Sequence, residues 1–200
     1  FHSPLMEPAR AAFEQILVGA AFSDAVIPVL QNTDPTPERD GERIRERLIA
    51  QITSPVRWTE TMAALVAYVV TESNGAKINV DLRHPEMKKM YDMGKMAFYY
   101  RSGPMDFSCT TCHGDTGKRI RLQDLPDLRK QQGAADGWGT WPAYRVSNGQ
   151  FWTMQHRLND CYRQQRTAEP IYGSDVTIAL SVYLAGTANG GTMLTPGLKR

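Results

Sequence analysis

Apolar residues recur every three or four positions along most of the chain, which is the spacing expected of helices with one buried face. Between these segments lie short stretches rich in Gly, Pro, Asn and Asp, which favour turns. Apolar and polar residues do not alternate convincingly over any stretch, so the sequence predicts no strand and an all-α fold class. The predicted long helices cover residues 9–31, 42–52, 59–73, 86–101, 149–166 and 174–191.

Several of these helices have recognisable end signals. The first helix loosens near Gly19 and is predicted to end around Pro28, since proline cannot continue a helix. Thr153 and Ser174 are N-cap candidates, because a hydroxyl oxygen can accept a hydrogen bond from the first free backbone N–H groups. Gly190–Gly191 is predicted to end the last helix.

Composition narrows the class of protein. Of 200 residues, 42% are hydrophobic and 22% are charged, as in an ordinary globular chain, and the formal net charge is +2. So small a charge gives no electrostatic footprint for nucleic acid. The longest apolar run, residues 62–70, is about half the ~20 residues that a membrane helix needs. We therefore expect neither nucleic acid nor a membrane as a partner.

The segment SCTTCHG, residues 108–114, carries the clearest chemical signal. Cys109, Cys112 and His113 have the spacing of a c-type haem attachment site, in which two thiols add across the haem vinyl groups and the histidine ligates iron. A thioredoxin-type motif would favour a βαβ context, and a zinc site would need a second pair of ligands. The sequence thus predicts one covalently bound haem c, held by Cys109 and Cys112 and ligated by His113.

Haem c is attached on the oxidising side of the bacterial cytoplasmic membrane, so the motif also predicts a compartment. The chain begins with Phe1 and shows no basic start leading into an apolar stretch. We therefore expect a mature form, from which an export signal has been removed, and a periplasmic location.

Two similar segments predict an internal repeat. Residues 64–75 align with residues 179–190 at a constant offset of 115, and Pro55 and Pro170 share that offset. We interpret the repeat as two tandem cytochrome c-like domains. All three cysteines follow residue 100, so the first domain is predicted to lack haem. The predicted domains are residues 1–80, without haem, and residues 81–200, with haem.

The second axial ligand of the iron is left open by the motif. The downstream candidates are Met154, His156, Cys161 and Met193. Methionine is the ordinary ligand of electron carriers and raises the reduction potential, whereas thiolate ligation is known from haem enzymes. Arg157 lies four residues before Cys161, on the same helix face. We expect its guanidinium to lower the pKa of the Cys161 thiol and to suit an oxyanion.

Three functions fit these residues. A redox enzyme would use Cys161 and Arg157 for sulfur chemistry. A plain electron carrier would use His113 and Met154 as ligands and would need neither Cys161 nor Arg157. A haem-based sensor would release Cys161 so that a small ligand could bind. The pairing of Arg157 with Cys161 on one helix face favours the enzyme.

The sequence around these residues resembles the SoxA family, the cytochrome subunits of the SoxAX complex of bacterial thiosulfate oxidation. The resemblance covers residues 64–193 well and the first sixty poorly, and its most specific element is the R-x-x-x-C-Y-x-x-Q-R block from Arg157 to Arg166. The segments that carry it are YYRSGPMDFSCTTCHG, WPAYRVSNGQFWTMQHRLNDCYRQQR and IYGSDVTIALSVYLAGTANGG.

The resemblance implies a fold, a reaction and partners. It implies two cytochrome c-like domains, with Cys161 as the distal haem ligand, often as a persulfide, and Arg157 in the active site. The implied enzyme is an L-cysteine S-thiosulfotransferase, which couples thiosulfate to a cysteine of the carrier SoxYZ and passes two electrons to the small cytochrome SoxX. Many members hold a second haem or a disulfide in the first domain. Here both are absent and Arg47 stands near that position, as in a single-haem member.

Overall fold

The computed structural model describes residues 2–120 and 123–200 of the chain. Helices form most of its regular structure. They are α1 (Glu7–Val18), α2 (Gly41–Ala50), α3 (Trp58–Ser73), α4 (Pro85–Tyr99), α5 (Cys109–His113), α6 (Gln131–Trp138), α7 (Met154–Gln164) and α8 (Asp175–Thr187). The strands are β1 (Lys118–Ile120), β2 (Gln123–Leu125), β3 (Ala143–Arg145), β4 (Gln150–Trp152) and β5 (Gly197–Lys199).

The short strands correct the all-α prediction. β1 pairs with β2 in an antiparallel ladder, and β3 lies between an antiparallel β4 and a parallel β5. Each strand has three residues, which is too short for an alternating pattern to be recognised in the sequence. In the described part of the chain the strands are therefore small additions to a helical fold.

The chain forms two compact units, the first ending at Val69 and the second running from Val70 to Arg200. The prediction had placed a domain boundary between residues 80 and 81. The stretch after α3 is tied to the end of the second unit, because the Gly75 amide donates to the Met193 carbonyl (2.8 Å) and the Ile78 amide to the Gly191 carbonyl (2.9 Å). The identity of both units as cytochrome c-like domains stays a prediction.

In the first unit, α1 is shorter than predicted. It ends at Val18, with Gly19 as its C-cap, and residues 20–40 form no helix. The prediction of a helix over residues 9–31 was therefore wrong beyond Gly19. The chain instead turns back on itself, and Val29 and Glu38 form an isolated antiparallel bridge. Glycine ends helices readily because it lowers helix propensity, and the apolar residues after it do not continue the stripe.

The second helix of the first unit is better defined by its sequence. The Asp40 side chain caps α2 by accepting a hydrogen bond from the Arg43 amide (2.9 Å). Ile44 on this helix is buried, with 8% of its surface exposed. Arg47, which the family resemblance placed near a lost haem ligand, forms an ion pair with Asp34 (2.8 Å) in this unit.

The core of the second unit lies where α4 crosses α8. Phe98 and Leu180 are almost fully buried there, and the rings of Phe98 and Tyr183 pack with centroids 5.1 Å apart. Gly94 allows the two backbones to approach, because a Cβ atom at this position would clash with the Ala179 carbonyl and lie 2.7 Å from the Tyr183 Cβ. This close crossing holds the segments that carry the predicted haem motif and Cys161 on a packed base.

The predicted N-cap positions in this unit are confirmed. Thr153 is the N-cap of α7 and forms a capping box with His156. Ser174 is the N-cap of α8, but its hydroxyl accepts no capping hydrogen bond, so that part of the prediction was wrong. The predicted helix over residues 149–166 is correct only from Met154 onward, because Gln150–Trp152 form β4 instead. None of the helices within the described residues has the length and apolar content needed to cross a membrane.

Candidate functional site

The motif cysteines lie on α5, a single turn of helix whose start is fixed by side-chain hydrogen bonds. Ser108 is 2% exposed, and its amide donates to the Thr111 hydroxyl (3.0 Å). The Ser108 side chain in turn accepts from the backbone of Thr111, and the two contacts together form a capping box. The capping box stabilises a helical turn that would be too short to persist alone. It presents the thiols of Cys109 and Cys112 from one rigid turn, and both thiols are free.

The imidazole of His113 is oriented by the backbone that follows the motif. Its Nδ1 lies 3.1 Å from the Pro126 carbonyl oxygen, and the Leu128 amide donates to the His113 carbonyl (3.1 Å). A carbonyl can only accept, so Nδ1 carries the proton and the lone pair of Nε2 is free for a metal. Burial lowers the pKa of His113, with the Pro126 hydrogen bond opposing it. The ring is thus held in the neutral form that ligates iron.

Cys161 is brought to the motif by α7. Burial raises the pKa of the Cys161 thiol, Arg157 opposes this, and the neighbouring Asp160 and Cys112 raise it further. The expected effect of Arg157 on the thiol is therefore present, but the expectation of a lowered pKa was wrong because desolvation outweighs one guanidinium. Burial is also the main cause that raises the pKa of Cys109 to about 12, and Cys161 adds to it. The three thiols therefore lie close enough to influence one another.

Asp160 organises the charged side of this helix, and the sequence analysis missed it. The carboxylate is 6% exposed and accepts from the Arg157 Nη1 (2.9 Å) and the Gln164 Nε2 (2.8 Å), with Arg163 as a further ion-pair partner. Although burial opposes ionisation, Arg163 and Arg157 hold the pKa of Asp160 below its ordinary value. The signal in the sequence is a pair of arginines three residues before and three residues after Asp160, since residues three apart are neighbours on a helix.

The rival candidates for the distal ligand have other surroundings. Met154 packs against the core cluster of α4 and α8, and Met193 against a second cluster around Ile78. His156 lies with Nδ1 2.8 Å from the Thr153 hydroxyl and stacks between Trp152 and Tyr172, with centroids 6.0 and 5.2 Å away. Cys161 and the motif cysteines influence one another's pKa, a relation that the uncharged thioethers of Met154 and Met193 cannot have.

An apolar cavity adjoins one of the motif cysteines. Its volume is about 390 Å³, and Cys109 lines it together with Met96, Ala97, Tyr100, Tyr162, Val176 and the polar Ser102 and Gln165. Burial raises the pKa of Tyr162 to about 12, with the charges of Cys109 and Cys161 adding to the effect. Two free thiols on one turn and a histidine with a free Nε2 are the protein groups that would attach and ligate a c-type haem.

Comparison with known proteins relates most of the chain to one curated family. It is 63% identical over 170 residues, or 85% of the chain, to the L-cysteine S-thiosulfotransferase subunit SoxA of Hydrogenophilus thermoluteolus. It is 47% identical over 139 residues to a SoxA subunit of Hydrogenobacter thermophilus. The chain spans about half the length of these relatives, 56% and 52%. No family model matches the chain.

A solved structure agrees with this relationship. The structure of SoxXA from P. pantotrophus superposes with a TM-score of 0.61 at 27% identity, over 70% of this chain and 50% of that one. Both the sequence and the backbone of most of the chain are therefore similar to this group of proteins.

A second relationship involves a shorter stretch. The chain is 48% identical over 65 residues to a malonyl CoA-acyl carrier protein transacylase of Synechocystis, which is 32% of the chain and 22% of that protein. A transacylase of Bacillus subtilis is 39% identical over 72 residues. These lengths are close to that of the first unit, which ends at Val69.

Proposed function

This chain belongs to the SoxA family, and from that premise we propose that it is the haem-bearing part of a periplasmic L-cysteine S-thiosulfotransferase. The observation that carries the proposal is the mutual electrostatic influence of the half-buried Cys161, Arg157 and the motif cysteines. An electron carrier would need no such thiol. Met154 packs against the same core cluster as Cys109, so the carrier with Met154 as ligand is the alternative that the experiment must distinguish.

Each residue of the site has a separate role in this proposal. Cys109 and Cys112 would hold one haem c through thioethers, and His113 and Cys161 would ligate its iron. Bound there, the haem would supply a one-electron acceptor. Arg157 would hold the doubly charged thiosulfate near the Cys161 sulfur by charge-assisted hydrogen bonds. Asp160 would fix the direction of that guanidinium.

The reaction joins the outer sulfur of thiosulfate to a cysteine thiol of a SoxYZ-like carrier. One S–S bond forms, the carrier thiol loses its proton, and two electrons leave. One haem accepts one electron at a time, so the second must pass to a partner. We propose a SoxX-like small cytochrome as that partner, in keeping with the complex that the P. pantotrophus structure contains.

Replacing Cys161 with alanine is expected to reduce thiosulfate-dependent coupling to the carrier by about 100-fold or more, because the proposed iron ligand beside the thiosulfate site is lost. The measurement is carrier modification by mass spectrometry, with partner cytochrome and thiosulfate present and haem content verified. Met154→Leu is the matched control. Full activity of Cys161→Ala together with loss in Met154→Leu would instead support the electron carrier.

For the first unit we propose a different origin from that of the haem unit. The tandem-repeat interpretation made residues 1–80 a cytochrome c-like domain that had lost its haem. The two transacylase matches have about the length of the first unit, and this supports the alternative that residues up to Val69 are related to a piece of that enzyme class, although the SoxA match over 85% of the chain also includes part of this unit. Because the match covers about a fifth of those proteins, we assign the first unit no acyl-transfer activity. On this proposal it takes no part in haem chemistry.

Substituting Ile44 with alanine tests this separation. Removing a buried Ile side chain typically costs 2–5 kcal/mol, so we expect the first unit to melt earlier. The haem spectrum and thiosulfate activity are expected to stay as in the wild type. Calorimetry of the holoprotein, followed in parallel by haem absorbance, measures both. Loss of haem incorporation in this variant would show that the first unit belongs to the haem fold after all.

A further inference from the structure

Two cations point to the inner face of the small sheet formed by β3, β4 and β5. Arg145 ends β3 and is paired in register with Lys199 of the parallel strand β5. Residues in register on neighbouring strands project to the same face. Tyr144 and Leu198, the residues just before them on the two strands, are exposed and project to the outer face. Arg145 and Lys199 therefore lie on the opposite, half-buried face.

This face holds hydrogen-bond donors that lack acceptors. The Arg145 Nε and the Trp152 Nε1 are both buried without a hydrogen-bond partner. The Arg145 guanidinium lies over the Trp152 ring, with Cζ 5.2 Å from the ring centroid, which fixes its plane. Within the described residues, neither Arg145 nor Lys199 forms an ion pair. Buried unpaired donors are costly, so this cluster is built to receive an acceptor.

The cluster adjoins the proposed active site. Burial lowers the pKa of Arg145, and the positive charge of Arg157 lowers it further, while Asp160 and Cys161 oppose this. Burial and Arg157 likewise lower the pKa of Lys199, with Asp136 opposing. Arg157 is paired with Asp160, whereas Arg145 and Lys199 experience the charge of Arg157 without an ion pair of their own in the described part of the chain. An anion bound at Arg145 and Lys199 would offset this repulsion.

We propose that Arg145, Lys199 and Trp152 form a binding site for an oxyanion beside Cys161. The shared chemistry is a planar or tetrahedral group of oxygens with negative charge. Two sources supply it at this place, the sulfonate end of thiosulfate and a carboxylate of the haem. The identification of these sources rests on the proposed function, whereas the anion site itself rests on the unpaired donors.

The test is the affinity of the holoprotein for thiosulfate, measured by calorimetry without carrier, together with the haem midpoint potential. The variants are Arg145→Gln and Lys199→Gln. Arg83→Gln is the matched control, since Arg83 is 92% exposed. Arg145→Lys is expected to restore part of the affinity, because an ammonium supplies charge but not the planar fork.

The possible outcomes identify the anion or reject the site. A rise of Kd of about 10-fold or more in Arg145→Gln assigns the site to thiosulfate, at the usual strength of a charge-assisted hydrogen bond. An unchanged Kd with a lower midpoint potential assigns it to a haem carboxylate. If neither quantity moves in a folded variant, the proposal is wrong. Because no carrier is present, the anion site is judged even if Cys161→Ala keeps its activity and the proposed function fails.

Discussion

Replacing Cys161 with methionine is expected to change the ferric haem from a thiolate-type to a methionine-type low-spin species and to raise its reduction potential by hundreds of millivolts. The physical reason is that a thiolate donates negative charge to ferric iron and stabilises it, whereas a neutral thioether does not. Axial ligands shift haem potentials over a range of ≈0.8 V, so an exchange of this kind is among the largest available.

Low-temperature electron paramagnetic resonance of the oxidised protein makes the assignment, and a redox titration gives the potential. The methionine variant should also gain the weak sulfur-to-iron charge-transfer band of methionine-ligated ferric haem. Met193→Leu serves as the control, because Met193 packs against a separate cluster. A wild-type spectrum of the histidine–methionine kind that Cys161→Met leaves untouched would contradict Cys161 as the ligand.

Substituting Gly94 with valine is expected to be the most damaging single change to the fold of the second unit. The new side chain would meet the Ala179 carbonyl and the Tyr183 side chain, so α4 and α8 could no longer cross at their present distance. Overpacking of this kind costs about 3 kcal/mol or more, since backbone atoms must move. Phe98 and Leu180 would lose contacts as the helices separate.

The midpoint of thermal unfolding of the holoprotein measures this effect. A loss of about 3 kcal/mol corresponds to a drop of roughly 10 °C for a unit of this size. Lys95→Val on the same helix is the control, because Lys95 is exposed and the change mainly alters helix propensity. Equal stability of Gly94→Val and Lys95→Val would mean that the helices do not depend on close approach at Gly94.

Features determined by neighbours in the chain could be predicted from the sequence. The N-cap positions Thr153 and Ser174, the extent of α4 and the start of α8 depend on local chemistry, and the structure has them where expected, whereas α8 ends at Thr187, before the predicted end at Gly190–Gly191. Met154 and Cys161 could not be distinguished as ligand candidates in this way. Both side chains are half-buried, and what distinguishes Cys161 is the electrostatic influence that it exchanges with the motif thiols and Arg157, which depends on the fold.

Features that depend on residues distant in sequence were missed. The strands β3 and β5 pair although they are far apart in the sequence. A strand of three residues is too short for a periodic pattern to predict it. The same pairing creates the cation pair of Arg145 and Lys199. The net effect on the Cys161 thiol was misjudged for a related reason, since burial is a property of the whole fold and can outweigh the nearest charge.

The second unit begins and ends in almost the same place. Thr195 donates to the carbonyl of Val70 (3.0 Å), and the Met193 amide donates to the carbonyl of Ala76 (2.8 Å). A unit whose entry and exit are adjacent can be attached to, or inserted into, another protein without stretching its own chain. The second unit can therefore take a different neighbour before Val70 while the hydrogen bonds that join its two ends stay in place.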